Sequence, residues 1–179
     1  CRACGLCEDE CLGGALRLFG RETSVDEAFD LVMEDVDFYE DDGGLTVSGG
    51  EPLLQSDFCA ELFAKLNAVN VNCAVDTSGA VPWKCIEKVL PLTQVFLYDF
   101  KHIDDDAHQK YVGASNRLIL ENLRKLSKTG VPIEIRIPII PDFNDDEDVM
   151  RRMADFLAPL DNVQQVKLLA YHQLSKAKY

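Results

Sequence analysis

The chain has 179 residues, 47% of them hydrophobic, which suffices to bury one substantial core and argues against two full domains. Its net charge of −13, from 31 acidic and 18 basic residues, speaks against a nucleic-acid surface and against an anionic membrane as partner. With no apolar run long enough to span a bilayer and no charged-then-apolar leader, the expectation is a soluble cytoplasmic protein.

Cys1 comes first, with no initiator Met, so the chain reads as a portion of a longer protein. Cys1, Cys4, Cys7 and Cys11 spell C-x-x-C-x-x-C-x-x-x-C, the bacterial ferredoxin spacing, in which a tight loop folds thiolates around an iron-sulfur cluster. Leu12 follows where such runs carry Pro, and zinc or free thiols are the alternatives. Residues 1–20 are therefore set apart as the remnant of a ferredoxin-like insert, and residues 21–179 as the main domain. Cys59, Cys73 and Cys85 stand alone and are expected in the core.

Ser24-Val25-Asp26-Glu27 forms a capping box, and Val25, Phe29, Val32, Met33 and Val36 follow at helical spacing, predicting a helix of about four turns. Asp41 to Gly44 makes a turn into a strand at Leu45-Thr46-Val47, where Gly49-Gly50 bares the backbone before Pro52 blocks continuation. A second helix starts near Ser56. A strand over residues 71–75 ends in Asp76-Thr77-Ser78-Gly79, and Pro82 and Pro91 bracket a short helix as its first-turn proline and its stop.

The third strand, 95–98, delivers Asp99, Lys101 and His102; on an extended chain Asp99 and Lys101 point to one side. Asp104-Asp105-Asp106 opens a helix carrying Leu118, Leu120, Leu123 and Leu126, closed by Gly130. A fourth strand covers 133–140, with Arg136 on its polar side and Pro138 and Pro141 at its exit. Asn144 is expected to cap the next helix, and a fifth strand, 163–169, leads to Tyr171-His172-Gln173. Alternating strands and helices predict an α/β fold with a parallel sheet, either open or a partial barrel. All five strand ends then share one rim, where backbone amides, Asp76, Asp99, Lys101, Arg136 and His172 converge.

Ser48-Gly49-Gly50-Glu51-Pro52, Asp76-Thr77-Ser78-Gly79, Asp99-Phe100-Lys101-His102, Ile135-Arg136-Ile137-Pro138 and Leu169-Ala170-Tyr171-His172 resemble the successive motifs of the glycyl-radical-enzyme activating enzymes, typified by pyruvate formate-lyase-activating enzyme. The resemblance implies a radical S-adenosylmethionine enzyme on a partial (β/α) barrel, here without its first strand. It implies a reduced 4Fe-4S cluster that passes an electron to the sulfonium, and a 5′-deoxyadenosyl radical that takes a hydrogen atom from a glycine of the partner, a glycyl radical enzyme. A flavodoxin or ferredoxin-type protein would supply the electron. Carried over by position, Gly49, Gly50 and Glu51 meet the methionyl ammonium, Asp99, Phe100 and Lys101 lie along ribose and carboxylate, and His172 lies near the nucleoside. Asp76, Ser78 and Arg136 complete the site, with a monovalent cation beside Asp76 and Asp99. Cys1, Cys4, Cys7 and Cys11 fall where some members carry an auxiliary cluster.

The family's cluster motif, C-x-x-x-C-x-x-C, occurs nowhere in this sequence. The expectation is a C-terminal part of an activase with no radical chemistry of its own. Two other functions fit parts of the pattern: an electron-transfer or metal-binding module resting on the first cysteines, and an α/β lyase using Lys101 as a Schiff-base amine. Asp99 argues against the latter, because a nearby carboxylate favours an ammonium over a free amine.

Overall fold

Burial alternates strictly along the central strands, and that alternation decides the architecture. In the computed structural model, which describes residues 6–16, 20–40 and 43–170, β1 (Gly44–Val47), β2 (Asn72–Thr77), β3 (Val95–Asp99), β4 (Ile133–Ile139) and β5 (Val163–Ala170) form one sheet in sequence order, every neighbouring pair parallel. Cys73, Val75 and Thr77, then Phe96 and Tyr98, then Ile133, Ile135 and Ile137 are buried on one face. The intervening residues, Ala74, Asp76, Leu97, Asp99, Glu134 and Arg136, are only half-buried on the other. One face of the sheet is thus packed with β-branched and aromatic side chains, and the polar inner face stays accessible.

Helices α1 (Leu6–Asp9) and α2 (Val25–Met33) precede the sheet, and those between the strands are α3 (Ser56–Asn67), α4 (Trp83–Val89), α5 (Asp105–Val112), α6 (Arg117–Leu126) and α7 (Glu147–Leu157). Phe63 and Leu66 of α3, Ile86 of α4, Leu123 and Leu126 of α6 and Met153 of α7 join the strands' buried residues in a single core, as do Cys59 and Cys73. Cys85 packs against it, half-buried.

Several expected elements change shape. The predicted four-turn helix is shorter, Val25–Met33, and a 3-10 turn Val36–Phe38 follows it. The Ser24–Glu27 capping box is present at its start, while Tyr39 donates its hydroxyl to Val32 O at 2.6 Å near its end. Val36, placed on the inward face by periodicity, is exposed. The single helix expected between Asp104 and Gly130 is two, because Gly113 adopts a left-handed conformation (φ 85°) that closes α5. In α6 the buried positions are Ile119, Asn122, Leu123 and Leu126, so Leu118 faces out. Pro82 precedes α4 as its N-cap residue rather than lying in its first turn, and Pro91 lies in a 3-10 turn Leu90–Leu92. Asn144 does not cap α7; Asp146 does, accepting from Asp148 N at 2.8 Å.

Candidate functional site

At the carboxyl end of β1 the chain turns away from the sheet through Ser48, Gly49, Gly50 and Glu51. Gly49 has φ 122°, a conformation that L side chains rarely adopt, so glycine is required there. Gly50 differs: its φ is not positive, and a Cβ built on it would meet no atom within 4 Å among the described residues beyond its chain neighbours. Nothing within the described chain demands glycine at position 50, so the open space beside it is available to a ligand.

Glu51 turns back rather than outward. Its carboxylate accepts from Thr77 Oγ1 at 2.7 Å, Ser78 N at 3.0 Å, Ser78 Oγ at 2.7 Å and Leu53 N at 3.3 Å. The side chain therefore ties the β1 exit to the β2 exit and presents the double glycine from behind. Its acceptor sites are largely consumed by these four donors.

Two ion pairs cross the inner face. Arg136 NH1 lies 2.9 Å from Asp76 Oδ2, which also accepts from Ser48 Oγ at 3.1 Å, and Lys101 Nζ lies 2.9 Å from Asp99 Oδ2. The four charged side chains are 24 to 32% exposed, partly shielded but reachable from solvent. The Nε atom of Arg136 is buried and has no hydrogen-bond partner among the described residues. Together Ser48, Gly49, Gly50, Asp76, Thr77, Ser78, Asp99, Lys101, Arg136 and Leu169 line a cleft of about 240 Å³.

The strand ends thus bring together most of the residues expected from sequence. Phe100 is not in the cleft wall: it is buried on the packed side, 5.5 Å from Phe156 between ring centroids. His102 also turns inward, stacking on Phe143 at 4.9 Å and accepting from Asp104 N at 2.9 Å. Alternation explains both, since residues either side of Lys101 face away from it. His172, Cys1 and Cys4 lie outside the described residues. Cys7 is exposed, and Cys11 Sγ accepts from Ala15 N at 3.2 Å and Leu16 N at 3.3 Å. The Leu16 and Ala15 amides hold the Cys11 thiol below its ordinary pKa, the thiolate-favouring environment a metal ligand needs. Among the described residues no three His, Cys, Asp or Glu side chains converge as a metal site. Asp76 and Asp99 each hold a cationic side chain through Oδ2. Ser48, Thr77 and Leu169 belong to the cleft without having been singled out; all three sit inside the quoted motifs, but neither a hydroxyl nor an aliphatic side chain gives a sequence signal of its partner.

The model of the Radical SAM superfamily matches residues 1–154. The chain belongs to that superfamily. Its members use S-adenosylmethionine with a 4Fe-4S cluster, and the parallel α/β sheet is a partial barrel of the radical SAM type. Similar proteins include the (2S)-3-sulfopropanediol dehydratase activating enzyme of Klebsiella oxytoca, 40% identical over 92% of this chain and 53% of the relative. The trans-4-hydroxy-L-proline dehydratase activating enzyme of Clostridioides difficile is 41% identical over 94% of this chain and 57% of its own length. The chain spans little more than half the length of these curated relatives. A solved domain of pyruvate-formate lyase-activating enzyme from Bacteroides vulgatus superposes with a TM-score of 0.68 at 34% identity, covering 73% of this chain and 81% of that one.

Proposed function

We propose that this chain is the cofactor-binding part of a glycyl-radical-enzyme activating enzyme and that its cleft takes S-adenosylmethionine. The observation that carries the proposal is the open backbone at Gly50, flanked by paired charges of both signs. The ligand presents an ammonium, a carboxylate and a sulfonium, and the cleft supplies backbone carbonyls, Lys101 and Arg136 cations, and Asp76 and Asp99 carboxylates. When bound beside a reduced 4Fe-4S cluster, S-adenosylmethionine supplies the radical chemistry of the superfamily.

This chain's own residues orient the ligand. The backbone at Gly49 and Gly50 receives the methionyl ammonium, with Glu51, Thr77 and Ser78 keeping that turn in place. Lys101 approaches the carboxylate while Asp99 fixes its ammonium, and Asp99 lies along the ribose. Arg136 neutralises Asp76 and has an Nε proton still to donate. His172 is assigned to the nucleoside, and any monovalent cation to the Asp76 and Asp99 side. The donors for the catalytic cluster are not in this sequence, so no step is assigned to that cluster. Cys1, Cys4, Cys7 and Cys11 are assigned to an auxiliary one, which the amide-supported Cys11 thiol favours.

The partner proposed is a glycyl radical enzyme of the dehydratase or lyase kind, in line with the names of the similar activating enzymes, and the electron donor a flavodoxin or ferredoxin-type protein. Free thiols at Cys59, Cys73 and Cys85 suit a reducing cytoplasm. Calorimetric titration tests the cofactor assignment: the chain should bind S-adenosylmethionine, and Gly50→Val should remove binding while the melting temperature stays unchanged. A folded wild-type chain that binds neither S-adenosylmethionine nor S-adenosylhomocysteine overturns it. After anaerobic iron-sulfide reconstitution this chain should form no 5′-deoxyadenosine, and formation of that product would contradict the cluster assignment.

A further inference from the structure

Hydrogen bonding between β3 and β4 continues to Phe100 N, which donates to Arg136 O at 2.9 Å. Beyond that point a side chain takes over. Asn144 is completely buried, and its Nδ2 donates to Lys101 O and to Pro138 O, each at 2.8 Å, while its Oδ1 accepts from Ile140 N at 2.8 Å. Two carbonyls facing each other across a buried gap would repel; the amide NH2 between them turns the repulsion into two hydrogen bonds. The same partners fix which way the amide points, because the reversed orientation would set its oxygen against two carbonyls.

The loops after β2 and β3 carry the same device. Asn122 Nδ2 donates to Gly79 O and Val81 O, each at 2.8 Å, and Asn116 Nδ2 donates to His102 O at 2.9 Å and Ile103 O at 3.0 Å. Both side chains are buried, and Oδ1 of Asn122 finds no partner among the described residues, an unfavourable state kept alongside the two bonds its amide makes. Each asparagine holds backbone at or next to a cleft residue: Asn122 beside Ser78, Asn144 at the Lys101 carbonyl itself and Asn116 at the two carbonyls that follow it. None of the three makes a side-chain cap bond to the helix that follows it or contains it.

We propose that Asn144 is a positioning residue for the cofactor cleft: by bridging the carbonyls of Lys101 and Pro138 it sets the β3 exit and thereby the place from which Lys101 reaches the ligand carboxylate. This deepens the S-adenosylmethionine reading and rests on it. The bridge exists before any ligand arrives, so the geometry is prepaid and its loss appears as weaker binding of the group that Lys101 meets.

The test compares S-adenosylmethionine with its decarboxylated analogue, titrated calorimetrically into the wild type, Asn144→Ala, Asn144→Ser, Lys101→Met and the Lys101→Met/Asn144→Ala double variant. Removing the bridge should weaken S-adenosylmethionine binding roughly tenfold or more and leave the decarboxylated analogue nearly unaffected. In the Lys101→Met background the Asn144 substitution should add nothing. Asp146→Ala, which removes the helix cap two residues away, should lower the melting temperature without changing either affinity. Equal losses for both ligands, or additive losses in the double variant, overturn the proposal. A wild type that binds neither ligand defeats the cofactor reading instead. The bridge itself is then judged on the ligand-free wild type, as it is if the variants do not fold: the Asn144 side-chain amide protons should be strongly protected from solvent exchange, and exchange as fast as that of a surface asparagine refutes it.

Discussion

Gly79 and Gly50 show how two glycines in similar motifs do different work. Gly79 has φ 71°, and a Cβ there would run into the ring and hydroxyl of Tyr98. Tyr98 cannot yield, being fully buried with its hydroxyl donated to Ile119 O at 2.7 Å; burial pushes that hydroxyl's pKa well up. Gly79→Ala should therefore lower the unfolding free energy by about 2–4 kcal/mol in urea titration, combining left-handed strain with overpacking. Wild-type stability in that variant would refute the steric account. Gly50→Val, by contrast, places its Cβ where no described residue beyond its chain neighbours lies within 4 Å and should be silent in the same experiment. A sequence displays both glycines alike; only the position of Tyr98 separates them. Cys73 and Cys11 divide similarly. Burial drives the Cys73 thiol up to about 12, whereas amide hydrogen bonds lower that of Cys11, and their isolated and clustered spacings already announced the difference.

Helix boundaries are where tertiary contacts overrode local signals. Asp104 looked like the opening of one long acidic-start helix, and it is indeed the N-cap residue of α5, yet its side chain makes no cap bond. It pairs with Arg152 of α7, whose NH1 lies 2.9 Å from Asp104 Oδ2, and that hydrogen bond holds the Asp104 carboxyl below its ordinary 3.8. Since the folded pKa lies below the unfolded one, the pair's stabilisation is fully present above the ordinary carboxylate range and is lost as pH falls through the lower, folded value. Asp105, lowered by Ser115 Oγ and by the Asn116 amide, acts with the same sign. Thermal melts between about pH 6 and pH 2 should show a steep acid-side loss that is shallower in Asp104→Asn. Identical slopes in both proteins would mean that the α5–α7 pair contributes nothing. Asn144 illustrates the same override, since an asparagine just ahead of a helix is a reasonable cap, but its amide is taken by the carbonyls of Lys101 and Pro138, each at 2.8 Å.

At the scale of the molecule, β5 is an edge strand of the sheet among the described residues, exposed from 164 to 170, and Val166, Leu168 and Leu169 contribute apolar surface there. Between it and α7 runs an apolar groove of about 420 Å³ that includes Ile137, Met150, Met153 and Leu157. An open apolar edge invites pairing with other chains, so light scattering of the 179-residue chain should rise with concentration and fall in Leu168→Lys. Equal scattering from both proteins would place the sticky surface elsewhere. The sequence by itself determined the parallel α/β layout, the strand centres, the capping box and the set of polar residues at the strand ends, because period-two burial, glycine pairs and short-range caps are local properties of the chain. Only the tertiary structure decided that Glu51 ties itself to Thr77 and Ser78, that Phe100 and His102 turn into the core, that Asp76 takes Arg136, and that Asn144 completes the β3–β4 ladder. Those choices depend on which backbone groups from distant segments arrive unpaired in the same buried place, and no local pattern records that.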